Sequence, residues 1–212
     1  LGFGRSASVL PKGKPMHFDV ATLTGLIGQT FRQPAAVASE IVKLRLPHAV
    51  GWMALGVVTI ATVIIISIER LIPGRPEMIS DLGGNPFFDA LFLGAMTVVF
   101  IFVLYYAGLA MGGKGTFGAT LLIMTWFQTI VLVLVIVQML AVLLVPSIAT
   151  LVSLAGFGLQ LWCLMHFLNV LHDFNSLGKA FGLFALSIIG FVFGLSFILL
   201  MVGGAALVGG PV

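Results

Sequence analysis

The residues able to do chemistry in this chain are the polar groups that interrupt its apolar stretches, since a polar side chain in hydrocarbon is costly and is kept for a reason. His166, Asn169 and Asp173 recur at steps of three and four, which sets them on one side of a helix, with His172 beside them and Gln160 earlier in the same apolar run. Such a row could relay protons, hold a metal or tie helix ends together. A helical zinc site asks for ligands at i, i+4, a spacing found neither between His166 and His172 nor in any His–Glu pair, and the single Cys163 offers no thiolate pair. The tie makes the smaller demand; binding or catalysis remains the alternative.

Gln128 and Gln138 stand ten residues apart in the preceding apolar run, roughly 80° off a common face, so they do not share one pocket. Each is expected to donate an interhelical hydrogen bond of about 1 kcal/mol. Further along, Gly178, Gly182, Gly190 and Gly194 fall at multiples of four, with Leu186 in the intervening position. A glycine ridge lets another backbone come close, either within the bundle or in a second copy, and Phe181, Phe184, Phe191 and Phe193 offer bulk to face lipid.

The elements that hold these residues follow from composition. The chain has 212 residues, 60% hydrophobic and 8% charged, where a soluble domain carries about 25% charged residues. From Gly115 to Val145 no residue bears a formal charge, which at 1.5 Å per residue is ample for a hydrocarbon layer of roughly 30 Å. Five spans are expected, at about 48–68, 87–111, 116–145, 148–171 and 179–202, with Pro47 before the first and Pro146 between the third and fourth. The fold class is therefore all-α: a polytopic membrane protein of five transmembrane helices.

One or two amphipathic helices precede them. Val20, Leu23, Ile27 and Phe31 follow Asp19 as a cap, and Val37, Ile41 and Leu44 follow Pro34. Both segments are expected at the membrane interface, with Arg32, Lys43 and Arg45 toward anionic lipid; packing under the bundle is the alternative. The organisation is thus a disordered or appended extension over 1–18, interfacial helices over 19–46, the bundle over 47–203 and a Gly-rich tail over 204–212. Met16 opens the patterned part and is the expected natural start.

Six of the ten Lys and Arg precede Leu46, and with Lys114 and Lys179 they would make eight cations on one side, against Arg70 and Arg75 on the other. That asymmetry places the amino terminus in the cytoplasm and, after five spans, the carboxyl terminus outside. No phosphate loop, His-Glu-x-x-His or nucleophile elbow is present; Lys114 among Gly112, Gly113 and Gly115 reads as a turn. No catalytic residue, cofactor, metal or nucleic-acid partner is expected.

Phe31 and Pro34 ahead of an amphipathic segment, then Gly112, Gly113, Lys114, Gly115, Thr116 and Phe117 entering the third span, form a recognisable series. So do His172, Ser176, Lys179 and Ala180 at the fourth-to-fifth turn. Over roughly Thr22 to Gly203 the chain resembles the Yip-domain proteins, named for interaction with Ypt/Rab GTPases, and in particular their bacterial branch. The resemblance implies a helical bundle in the bacterial cytoplasmic (inner) membrane, a cytosolic amino terminus and no known catalytic residues. Eukaryotic relatives bind prenylated small GTPases through a head with a Tyr-containing acidic motif. The tyrosines here are Tyr105 and Tyr106, so that motif is unmatched and the GTPase role is not carried over.

The expected function is a non-enzymatic membrane adaptor or organiser, binding anionic lipid and another membrane protein or itself. A small transporter or channel using Gln128, Gln160, His166 and Asn169 is the first alternative. An accessory subunit of a larger membrane complex is the second.

Overall fold

The computed structural model describes residues 20–44, 46–71 and 85–208. Among these the regular structure is helical: α1 Val20–Arg32, α2 Pro34–Lys43, α3 His48–Glu69, α4 Pro86–Ala110, α5 Phe117–Leu144, α6 Ala149–His172 and α7 Leu177–Val208. Asp19, Arg45 and Arg75 lie outside the described residues. Five helices, α3 to α7, are long and apolar enough to cross a membrane. α3 stops at Glu69 and Arg70, α4 at the Gly112 turn and α5 just before Pro146. Pro34 and Pro86 occupy first helical turns, and a 3-10 turn, Pro146–Ile148, joins α5 to α6. The last helix continues beyond the expected end at Val202, so the Gly-rich tail is helical as far as Val208.

The uncharged α5 is the centre of the bundle, packing against α2, α3, α4 and α6, while α7 closes the far side against α4 and α6. Leu121, Ile123 and Ile130 of α5 are fully buried with Ile101 and Leu104 of α4 and Phe167 and Leu168 of α6. Lipid removes the hydrophobic force between helices, so close fit has to hold them together. Gly51 of α3 shows how: a Cβ there would stand 2.8 Å from Leu121 Cδ2, so any larger residue would push the leucine from its place. The faces left open are apolar, as with Val57, Ile60 and Ile64 of α3 and Phe193 and Phe197 of α7.

Amphipathic α2 packs against the bundle. Its Val37 and Ala38 are buried against α5 and α6, and Thr30, near the end of α1, is buried as well. Trp126 Nε1 donates to Thr30 Oγ1 at 3.1 Å, and the Cys163 thiol donates to the Thr30 carbonyl at 3.9 Å. Trp126 stands nine residues into α5, roughly 14 Å along its axis. The α1–α2 joint therefore reaches well down the bundle, and α2 climbs beside α5 and α6 back to the end where α3 begins.

At the opposite end of α3, Arg70 pairs with Asp89 at 2.6 Å, and Asp89 is 5% exposed. Asp89, in the first turn of α4 where a carboxylate complements the helix dipole, thus also joins α3 to α4. Of the α7 phenylalanines, Phe181 and Phe193 face outward, whereas Phe184 packs on the core and Phe191 meets Phe100 edge-on at 5.8 Å.

Candidate functional site

The polar end of the bundle is built from three connections: α2 to α3, α4 to α5, and α6 to α7. Gly112, at φ +80°, turns the chain out of α4, and the Gly113 amide closes back on the Gly108 carbonyl at 2.8 Å. A similar closure ends α6. Asp173 takes a left-handed conformation, which Asp tolerates better than most side chains, and the Phe174 amide reaches the Asn169 carbonyl at 3.2 Å. Asn169 Oδ1 accepts from the Ser176 amide at 2.9 Å, and Ser176 Oγ accepts from the Lys179 amide at 3.3 Å to open α7.

These two turns are fastened together. The Lys114 amide donates to the His172 carbonyl at 3.1 Å, and its ammonium pairs with Asp173 Oδ2 at 2.8 Å. Both charged groups are exposed, and each favours the other's charge: the shared hydrogen bond holds Asp173 below the usual carboxylate range and Lys114 above the usual ammonium range.

Behind the clasp lies His172, with no exposed surface. Gly108, Gly113 and Gly115 surround its ring; a Cβ on Gly113 would stand 2.5 Å from Nδ1 and one on Gly115 2.9 Å from it, while one on Gly108 would overlap the ring. Phe174 stacks on the imidazole at 5.3 Å, and neither ring nitrogen has a hydrogen-bond partner among the described residues. Gly113 and Gly115, expected only to turn the chain, also make room for this ring, together with Gly108 inside α4.

Beside the clasp, Thr116 caps α5 by accepting from the Ala119 amide at 3.3 Å. The amides of Phe117 and Gly118 come earlier in the helix than any intrahelical acceptor can serve. Phe117 and Gly118 line a cavity of about 740 Å³ together with Lys114 and His48.

The polar row of α6 is divided among partners. His166 Nδ1 contacts its own helix at the Trp162 carbonyl, 2.8 Å away; Asn169 holds the turn, His172 fills the glycine cradle, and Asp173 faces Lys114. Gln128 donates to Thr97 of α4 at 2.9 Å, and Gln138 to the Ala149 carbonyl at 3.2 Å. No hydrogen bond among the described residues joins Gln160 to these groups. On the α7 ridge, Gly182 faces Met111 and Gly190 faces Val103, at ordinary contact distances for a Cβ, Gly178 is exposed, and Gly194 borders open space. Arg32 is exposed, Lys43 pairs with Glu40 at 3.0 Å, and no group of three metal-ligating side chains exists among the described residues.

Sequence reasoning missed Gly108, Gly113 and Gly115 as a cradle and Thr30 as the seat of Trp126. The crowding of glycines at 108, 112, 113 and 115 was the available signal, since a helix end needs only one of them to turn.

Five apolar helices and a clasped polar end define a multi-pass membrane protein of the helical-bundle class. The family model described as the Yip1 domain matches residues 28–204, and the chain belongs to that family. Neither the curated proteins nor the solved structures yield a match.

Proposed function

We propose that this protein is a non-enzymatic membrane adaptor of the bacterial cytoplasmic membrane, whose polar end faces the cytoplasm and binds anionic lipid and a second membrane protein. The observation that carries the reading is the gathering of Lys43, Lys114 and Lys179 at the end made by α2, the α4–α5 turn and the start of α7. Cations beside a bilayer attract anionic headgroups and acidic partner surfaces. The polar groups of α5 and α6 support no transport path in this reading, because Gln128 bonds Thr97 of α4, His166 its own helix and Asn169 the turn after α6. The test is purification from native membranes in mild detergent, followed by native mass spectrometry. A specific protein partner or retained anionic lipid is expected; a bare monomer, indifferent to anionic over zwitterionic lipid, would overturn the proposal.

A further inference from the structure

Next to the cavity at the start of α5 runs an apolar groove of about 220 Å³ between α2 and α3, floored by α5. The two adjoin at Leu46 and Leu122, which line both. The groove descends past Val50 and Ala54 to Val58 and Thr129, with Trp126 in its wall. Val58 is ten residues into α3 and Thr129 twelve into α5, so the groove reaches roughly 15–18 Å below the polar end. That is about half of a hydrocarbon layer of roughly 30 Å, the depth of one leaflet.

The two ends differ in chemistry. The deep part is apolar, and Glu40, the one carboxylate on its wall, is already held by Lys43. The mouth is lined by Lys114, His48 and the first residues of a 28-residue helix, whose dipole favours an anion there. Lys114 has three donors and gives one to Asp173, which leaves it able to serve a second acceptor. A ligand matching both ends carries a phosphate at headgroup level and a hydrocarbon chain one leaflet long.

We propose that the paired cavities are a binding site for one anionic phospholipid, its phosphate at the start of α5 beside Lys114 and an acyl chain in the groove between α2 and α3. The site deepens the adaptor reading by naming its lipid and where it sits, and it rests on the polar end facing the bilayer surface. Because α2 forms one wall, occupancy ties the amphipathic helices to the bundle.

The test uses Trp126 as reporter. The full chain carrying Trp52→Phe and Trp162→Phe is reconstituted into phosphatidylcholine vesicles with a minor fraction of phosphatidylglycerol or phosphatidylcholine brominated on the acyl chains. Brominated phosphatidylglycerol is expected to quench Trp126 at about fivefold lower mole fraction, the preference one lysine at a membrane surface supplies. Lys114→Gln is expected to bring the two lipids close to parity. Ala54→Phe, or Val58→Phe if the first does not fold, fills the groove and is expected to abolish the excess quenching by either lipid. Inorganic phosphate in excess is expected to leave the quenching unchanged. Equal quenching by both lipids in the unsubstituted groove overturns the proposal, as does a preference that survives both Lys114→Gln and the groove-filling change. Displacement by inorganic phosphate would assign the mouth to a free anion and overturn it too. Such failures leave the adaptor reading standing if a protein partner still co-purifies, so the two are separable.

Discussion

The imidazole of His172 occupies the space that a side chain on Gly108 would need. A ring at the end of α6 thereby fixes how closely α4 can approach. Gly108→Ala should destabilise the protein by about 1–3 kcal/mol through overpacking. His172→Ala should cost about 2 kcal/mol, the low end for a large side chain, because no hydrogen bond to the ring is lost. The double variant should lie well short of the sum, since the methyl group then enters the space the ring vacated. Unfolding in detergent, followed by helical signal, measures all three; strict additivity would mean the two residues do not share that space.

The Lys114–Asp173 clasp has a defined pH window. Asp173 is held below its unfolded value, so its contribution is present above about pH 3.9 and is lost as pH falls through the lower folded value. Lys114 is held above its unfolded value, so its contribution is complete below about pH 10.4 and is lost as pH rises through the higher folded value. Between these limits stability should be flat with respect to this pair. Asp173→Asn should have a small effect at neutral pH that shrinks further in high salt, as for exposed pairs generally. A thermal-shift series across pH and salt reads both, and a large salt-independent loss would contradict the assignment.

Gln128 donates to Thr97 across the α4–α5 contact, and a single interhelical hydrogen bond of that kind is worth about 0.6 kcal/mol. Gln128→Leu should therefore unfold within about 1 kcal/mol of the unsubstituted protein. If Gln128 lined a transport path, the same change would alter ion or solute flux in proteoliposomes. No change in flux is expected.

The span bounds were legible because an uncharged run leaves a helix few places to stop: Gly115 to Val145 became Phe117–Leu144. The side chosen by each helix was not legible. In water an apolar stripe such as Val37, Ile41 and Leu44 must find a core, but beside lipid it can face either way, so pattern alone did not decide that α2 packs against α5 and α6. Phe184 and Phe191 turned inward for the same reason, while Phe181 and Phe193 did not. His166 and Asn169 lie on α6, but Asp173 falls just past its end in a left-handed turn; the first two find partners close by in sequence, whereas Asp173 meets Lys114. Lys114 is a residue of a different turn, and nothing in the spacing within α6 could name it.

Membrane orientation is the expectation on which the cytoplasmic role depends, and two exposed turns test it. Five spans put the α5–α6 turn and the α6–α7 turn at opposite ends of the bundle. Lys179 is exposed at the start of α7, and Ser147 is exposed between α5 and α6. Cys163 is the only native cysteine and is buried with its thiol toward the Thr30 carbonyl, so Cys163→Ser keeps a donor there and clears the background. In that background Ser147→Cys should react with a membrane-impermeant maleimide in intact bacterial cells. Lys179→Cys should react only in inverted or opened membranes. The bias of Lys and Arg toward the polar end predicts this order because cations are retained on the cytoplasmic side during insertion. The reverse order would place Lys43, Lys114 and Lys179 outside the cell, and the proposed lipid site would then face the outer leaflet.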